Sequence, residues 1–198
     1  MKKWKLLSVL FTCTLVFAAC ADEKNDSATV TDKSNGNNGN PDSQSEEDTL
    51  PSVTVQMMDS SGKSLGTVQL TEEEDALRIM VDAHDLPEGS HGFHFHEKGV
   101  CEAPDFESTG GHFNPTEASH GLDSEGGPHA GDLPNLVVGA DGEVKEEFFV
   151  QNLTLKNDDE NSLFQDGGTA LVIHADSDDG KTQPSGDSGD RIACGIVE

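Results

Sequence analysis

The chain predicts an all-β sandwich or barrel, and three observations carry that prediction. From Pro51 onward, short runs of alternating apolar and polar residues are split by Gly, Asp and Pro, the period of half-buried strands joined by turns. No apolar repeat of helical period runs for more than about ten residues. Two stretches, 98–135 and 175–190, have no strand pattern, and loops that long in a compact domain are functional or disordered.

The N-terminal residues stand apart from this pattern. Met1-Lys2-Lys3-Trp4-Lys5 supplies a positive start, and Leu6 to Ala18 is apolar but too short to span a bilayer. The run ends Val16-Phe17-Ala18-Ala19-Cys20, which resembles the lipobox of bacterial lipoproteins, although Phe17 departs from the usual aliphatic residue. That resemblance implies a signal peptide over 1–19 and lipidation of Cys20, with Cys13 discarded. Cleavage by an ordinary signal peptidase, leaving a soluble protein, is the competing reading. Residues 20–50 read as the lipidated cysteine followed by a disordered tether, because almost no aliphatic and no aromatic side chain is present to offset ordering entropy. Such a tether holds its domain roughly 30 Å from the anchor.

Within 51–198, 52–57 alternates and is followed by the turn Asp59-Ser60-Ser61-Gly62. Residues 65–70 and 76–81 form two further candidate strands, then 92–97, 144–150, 170–174 and 192–197, with Ala140-Asp141-Gly142 as a hairpin-type turn. About 150 residues are enough for one domain with its own core.

The histidines carry most of the chemical information. His94, His96, His112, His120 and His129 are followed by Asp132, and His174 lies far downstream. Imidazoles with a carboxylate suit borderline metals such as copper and zinc. Two residues apart on a strand, His94 and His96 point to the same face. The net charge of -26 excludes nucleic acid as a partner, since phosphate binding needs Lys/Arg surfaces. It agrees with a well-solvated extracellular protein.

Six motifs now stand in order. They are Gly92-Phe93-His94-Phe95-His96-Glu97, Gly110-Gly111-His112-Phe113-Asn114-Pro115, His120-Gly121, Pro128-His129-Ala130-Gly131-Asp132-Leu133, Leu171-Val172-Ile173-His174 and Arg191-Ile192-Ala193-Cys194-Gly195. Together they resemble the copper/zinc superoxide dismutases across essentially all of 51–198. The resemblance implies an eight-stranded Greek-key β-barrel with two long functional loops. It also implies an enzyme that converts superoxide to O2 and hydrogen peroxide by copper redox cycling with a zinc-supported bridging histidine.

Carried over residue by residue, the resemblance gives His94, His96, His112 and His174 to copper. It gives His112, His120, His129 and Asp132 to zinc, with one ion of each kind per subunit and His112 bridging the two. Four imidazoles suit a tetragonal copper with an open approach, and three imidazoles with a carboxylate make a closed tetrahedral zinc site. His112 and Arg191 are the implied catalytic residues, Arg191 attracting the anion at the mouth of the copper site. Asp178 matches a carboxylate that holds a copper-ligand and a zinc-ligand histidine, with Asp176 and Asp179 competing for the role. Cys101 and Cys194 match the family disulfide, which pins 102–111 beside the strand after Arg191. Closing that loop of roughly 94 residues contributes about 4–5 kcal/mol in the chain-entropy model. His91 reads as a hydrogen-bonding barrel residue and His84 as a surface one.

The five aspartates of 175–190, against Lys181 alone, make that loop net negative where steering of an anion needs positive charge. This predicts a slower enzyme, or a positive field confined to Arg191 and the metal. Two other classes compete: a non-catalytic copper/zinc-binding module, and an interaction domain keeping only zinc and the disulfide. The expected partners are superoxide and, through Cys20, the membrane; a homodimer is compatible with the reading. The expected location is extracytoplasmic, on the outer face of a Gram-positive-type membrane.

Overall fold

The computed structural model describes residues 50–198. The signal peptide, Cys20 and the tether therefore lie outside the described residues, Leu50 excepted. Nine strands follow in chain order: β1 (Ser52–Met58), β2 (Ser64–Glu72), β3 (Leu77–Ala83), β4 (Gly89–His91), β5 (Phe93–His96), β6 (Leu136–Val138), β7 (Val144–Val150), β8 (Thr169–His174) and β9 (Arg191–Val197). A 3₁₀ turn at Glu107–Thr109 is the sole helical element among the described residues.

All pairings between the named strands are antiparallel. Seven strands form one sheet in the order β5-β8-β9-β1-β2-β3-β7, and β4 pairs with β6 in a second. Gly92 alone separates β4 from β5, so the two are one strand that leaves β6 for β8 at a bend. Counted that way the strands number eight, as expected. The circuit closes where β6 and β7, joined by the Gly139–Gly142 turn, lie side by side and Glu146 Oε1 accepts the Val137 N–H at 3.1 Å. Closure removes the exposed sheet edges that invite aggregation.

The strand period sets the core. Val55 and Met57 of β1, Val68 and Leu70 of β2, and Leu77, Ile79 and Val81 of β3 point inward with Leu171 and Ile173 of β8. Strand β8 is buried along its whole length, because its outer face is covered as well. There Ala170 and Val172 pack with Phe106 and Cys194 beneath the segment that Cys101 ties down. The Cys101–Cys194 disulfide is formed.

Two strand positions and one loop differ from the sequence expectation. Strand β6 has only three residues, and β4 is hidden in the polar run Gly89-Ser90-His91, so neither shows enough alternation to be read. A third irregular segment runs over 151–168 in addition to the two expected. The buried carboxylate of Glu72 anchors it, accepting from Leu155 N at 2.7 Å and Thr154 Oγ1 at 2.9 Å, with Lys156 Nζ at 3.1 Å. Burial opposes ionisation of Glu72, but these partners outweigh it and hold the carboxyl below its usual value.

Candidate metal centre

Strand β5 reads Phe-His-Phe-His and is buried on both faces. Its odd side chains, Phe93 and Phe95, enter the core, and period two sends His94 and His96 to the opposite side. Neighbouring β8 places His174 on that side too, in phase with Ala170 and Val172, next to a register shift at Ile173/His174. The far edge of β5 is occupied by loop backbone: Phe95 N donates to Gly131 O, Phe113 N to Phe95 O, and Glu97 N to Gly111 O, at 2.8–3.0 Å. These bonds bring His112 opposite His96 and Asp132 opposite His94. The 98–135 loop is thereby zipped onto the sheet with its ligands facing inward.

Two buried groups result: His94, His96, His112 and His174, and His112, His120, His129 and Asp132, each with ligand atoms within 4.8 Å of one another. His112 belongs to both. In the second group Asp132 Oδ1 lies 2.8 Å from His112 Nδ1, 3.1 Å from His120 Nδ1 and 3.3 Å from His129 Nδ1. A tetrahedral zinc with bonds of roughly 2.0–2.1 Å sets its donors about 3.3 Å apart, so this cage has the right size. In the first group His96 Nε2 and His174 Nε2 are 3.4 Å apart.

Hydrogen bonds on the outer side of each ring decide which nitrogen faces inward. His94 Nε2 meets Asp178 Oδ2 at 2.7 Å, His96 Nδ1 meets Gly110 O at 3.0 Å, and His174 Nδ1 meets Gly189 O at 3.2 Å. Those acceptors keep the proton outside and leave His94 Nδ1, His96 Nε2 and His174 Nε2 bare. His94 Nδ1, His112 Nε2 and His129 Nδ1 are buried without any hydrogen-bond partner among the described residues. An orphaned buried nitrogen is costly unless a ligand takes its lone pair, and a cluster of them fits metal ions.

Electrostatics favour the same state. Burial, the largest cause, lowers the pKa of His94 to about 4 and that of His174 to about 3, and drives that of His96 well below its usual value. His94, His96 and His174 are therefore neutral donors at neutral pH. Asp132 is pulled down to about 2: burial opposes this, but the His112 hydrogen bond and the Gly121 N–H prevail. Asp178 is also held well below the carboxylate range, since His94, the Gly180 N–H and His120 together outweigh its burial.

Asp178 is the aspartate that reaches both rings, meeting His120 Nε2 at 3.0 Å as well as His94. Asn135 fixes it by a reciprocal pair, Asp178 N to Asn135 Oδ1 at 2.9 Å and Asn135 Nδ2 to Asp178 O at 2.8 Å. Gln183 clamps the His120 backbone in the same way, at 2.8 and 2.9 Å. Neither Asn135 nor Gln183 was legible in the sequence, because each acts across 43 or 63 residues with no local motif. Gly186, at φ +70°, passes so close that a Cβ there would strike Asp178 and His120 Nε2. His91 bonds His174 O and Pro87 O, both at 2.8 Å, and His84 is a surface residue beside Asp85.

A cavity opens over the first group, lined by His96, His112, His174, Ser185 and Ser188, with Arg191 and Glu97 as its cation and anion. Arg191 Nη1 donates to Phe106 O at 2.7 Å and Thr109 Oγ1 at 2.9 Å, and Nη2 to Gly110 O at 2.8 Å. The aspartates of 175–190 do not line this cavity. Asp178 turns inward to the rings, and Asp179 caps the turn to Thr182. Asp190 faces a separate depression with Asp105 and Glu107, on the other side of Arg191. The loop's net charge thus overstates the repulsion that the cavity itself presents.

The sequence model of the copper/zinc superoxide dismutases matches residues 64–197. The chain belongs to the copper/zinc superoxide dismutase family. It is 43% identical over 143 residues to superoxide dismutase [Cu-Zn] 1 of Aquifex aeolicus, covering 72% of this chain and 85% of that one. It is 36% identical to the copper/zinc superoxide dismutase of Escherichia coli, covering 69% and 80%. Among solved structures it is similar to a superoxide dismutase-like protein from Bacillus subtilis (TM-score 0.71, 42% identity, covering 73% and 97%) and to the copper/zinc superoxide dismutase of Brucella abortus (TM-score 0.60, 35% identity, covering 75% and 100%). The enzyme is a superoxide dismutase, and its cofactors are copper and zinc.

Two expected outcomes come from this geometry. In the unfolded chain His94 and His174 titrate near about 6.5. The unfolded state therefore binds more protons between that value and the folded values of about 4 and about 3, and stability falls as pH drops through this window. Urea unfolding of the metal-free, disulfide-intact protein will show a midpoint that declines from pH 7 to pH 4; a midpoint flat across that range contradicts the assignment. Glu97→Gln, which keeps the acceptor for the Gly111 N–H, will raise kcat/KM for superoxide at low ionic strength more than Asp187→Asn does. The gain fades as salt rises, because screening at about 0.15 M limits exposed charges to roughly 8 Å. Pulse radiolysis across a salt series measures both variants, and equal responses would remove Glu97 from this role.

Proposed function

We propose that this superoxide dismutase works outside the cytoplasmic membrane, tethered through lipid on Cys20, with copper in the all-histidine group and zinc in the group containing Asp132. The shared position of His112 carries the reading. One ring serves both groups, and the cavity holding the fixed guanidinium of Arg191 is lined by His96, His112 and His174 of the all-histidine group, while the Asp132 group reaches it through His112 and His129. The Asp132 group supplies three imidazoles and one carboxylate, a complete set of four donors, which suits an ion that organises structure. Every ligand comes from one chain, so a homodimer adds nothing to the first coordination sphere.

Bound copper supplies the one-electron redox change that takes one superoxide to O2 and, with two protons, a second to hydrogen peroxide. The chain's own residues do the rest. Arg191 has its guanidinium held in place by three acceptors, so its remaining N–H groups attract and orient a small anion without first having to be ordered. His112 Nε2, buried and without a partner, takes up and returns a proton, while Nδ1 stays against Asp132 at 2.8 Å. Asp178 and the Gly110 and Gly189 carbonyls keep the other rings from turning. The positively charged start, short apolar run and Ala18-Ala19-Cys20 junction support export and lipidation, and interception outside the membrane suits a substrate anion that crosses lipid poorly.

His174→Ala will lose copper and dismutation while retaining zinc, whereas His112→Ala will impair both sites. Metal analysis after loading with both ions, paired with a superoxide-consumption assay, reads this, and loss of both metals from His174→Ala overturns the partition. Cys20→Ser will move the protein from the membrane fraction to the soluble one; unchanged fractionation and electrophoretic mobility overturn the anchor.

A further inference from the structure

Thr109 is buried completely, and its hydroxyl is part of no motif that marks the site. Its Oγ1 lies 3.0 Å from Phe106 O, 2.9 Å from Arg191 Nη1 and 3.1 Å from His96 Nδ1. Phe106 O can only accept, so it takes the one hydroxyl proton. The oxygen's lone pairs then face two donors, Arg191 Nη1–H and His96 Nδ1–H. Gly110 O is shared by the same pair, 2.8 Å from Arg191 Nη2 and 3.0 Å from His96 Nδ1. Arg191 and His96 therefore close a ring of hydrogen bonds through two common acceptors, one a backbone carbonyl and the other a side chain. The carbonyl belongs to the chain whatever the sequence. The hydroxyl depends on residue 109.

We propose that Thr109 is a positioning residue that couples the anion-attracting guanidinium of Arg191 to the copper-ligand ring of His96 through its hydroxyl. It fixes the His96 tautomer with Nε2 bare, and it gives Arg191 Nη1 a second acceptor, which stops the guanidinium from swinging off the cavity. The Phe106 carbonyl orients the hydroxyl, and Phe106 itself packs under the Cys101–Cys194 bridge. The disulfide segment thus reaches the metal site through this side chain as well as through the Phe106 and Gly110 carbonyls. The inference deepens the proposed copper site and rests on that reading.

Thr109→Val keeps the shape and removes the hydroxyl; Thr109→Ser keeps the hydroxyl and removes only a methyl group. In protein loaded with copper and zinc, Thr109→Val will weaken azide binding, followed by its visible charge-transfer band, by on the order of 3- to 10-fold, part of the worth of one charge-assisted hydrogen bond. It will also change the Cu(II) electron paramagnetic resonance spectrum. Thr109→Ser will restore both. In the metal-free, ¹⁵N-labelled protein, the His96 Nδ1–H proton will exchange with water faster in Thr109→Val than in wild type or Thr109→Ser. Should Thr109→Val fail to fold by circular dichroism, Thr109→Ala takes its place with the same expected direction. Azide affinity, spectrum and exchange all unchanged in the variant lacking the hydroxyl overturn the proposal, as does a Thr109→Ser protein that behaves like it. Failure of the wild type to bind copper would instead sink the copper reading, and the metal-free exchange measurement would still decide the role of Thr109.

Discussion

Strand β5 is only four residues long, yet it has no solvent face. Phe93 and Phe95 fill the barrel core, while His94 and His96 lie under a roof of loop and sheet. Everything else at the site follows from closing that second side. Loop backbone hydrogen-bonds along the free edge of β5 and sets His112 and Asp132 in register with it. The aromatic core makes the strand immobile, so the two imidazoles are placed as firmly as core side chains. That rigidity is what lets a metal site keep its geometry.

Burying so many imidazoles has an electrostatic consequence. Desolvation disfavours the protonated forms of His94, His96 and His174, so these rings stand ready as neutral donors without competition from protons at neutral pH. The opposing cost is orphaned nitrogen atoms, which the protein limits by giving the outer nitrogens of His94, His96, His120 and His174 a carbonyl or carboxylate. Asp178 does this for two rings at once, and Asn135 keeps Asp178 from turning away. One hydrogen-bonded layer thus links the 98–135 loop, the 175–190 loop and the barrel.

Charge is arranged on the same principle of local placement over total count. The chain is strongly acidic, but among the described residues the cavity over the all-histidine group holds only one carboxylate, Glu97, beside Arg191. Of the aspartates of the neighbouring loop, Asp178 is turned to the rings, Asp179 caps a turn and Asp190 lines a depression beside Arg191. A field focused in a cleft depends on what lines it, so an acidic surface is compatible with an anionic substrate.

The family and the two histidine groups that could hold metal were legible in the sequence because they are local or ordered signals. His94 and His96 declare themselves by strand period, and the remaining ligands by six motifs in one order. The barrel was legible through alternation in β1, β2, β3 and β7, where one face is more buried than the other, and through the short apolar runs of β8 and β9. It was not legible in β6, which is too short, or at the β4/β5 bend, where Gly92 allows the Ser188 side chain to approach and a Cβ would meet it at 2.8 Å. Choosing Asp178 over Asp176 and Asp179 needed the tertiary structure, since nothing in Asp-Ser-Asp-Asp says which carboxylate turns inward. The same holds for Asn135, Gln183 and Thr109, whose partners are distant in the chain and touch them only after the loops have folded back. Sequence fixes which atoms are available to bind a metal, while the direction of each carboxylate and hydroxyl is decided by hydrogen bonds that exist only once the barrel has closed.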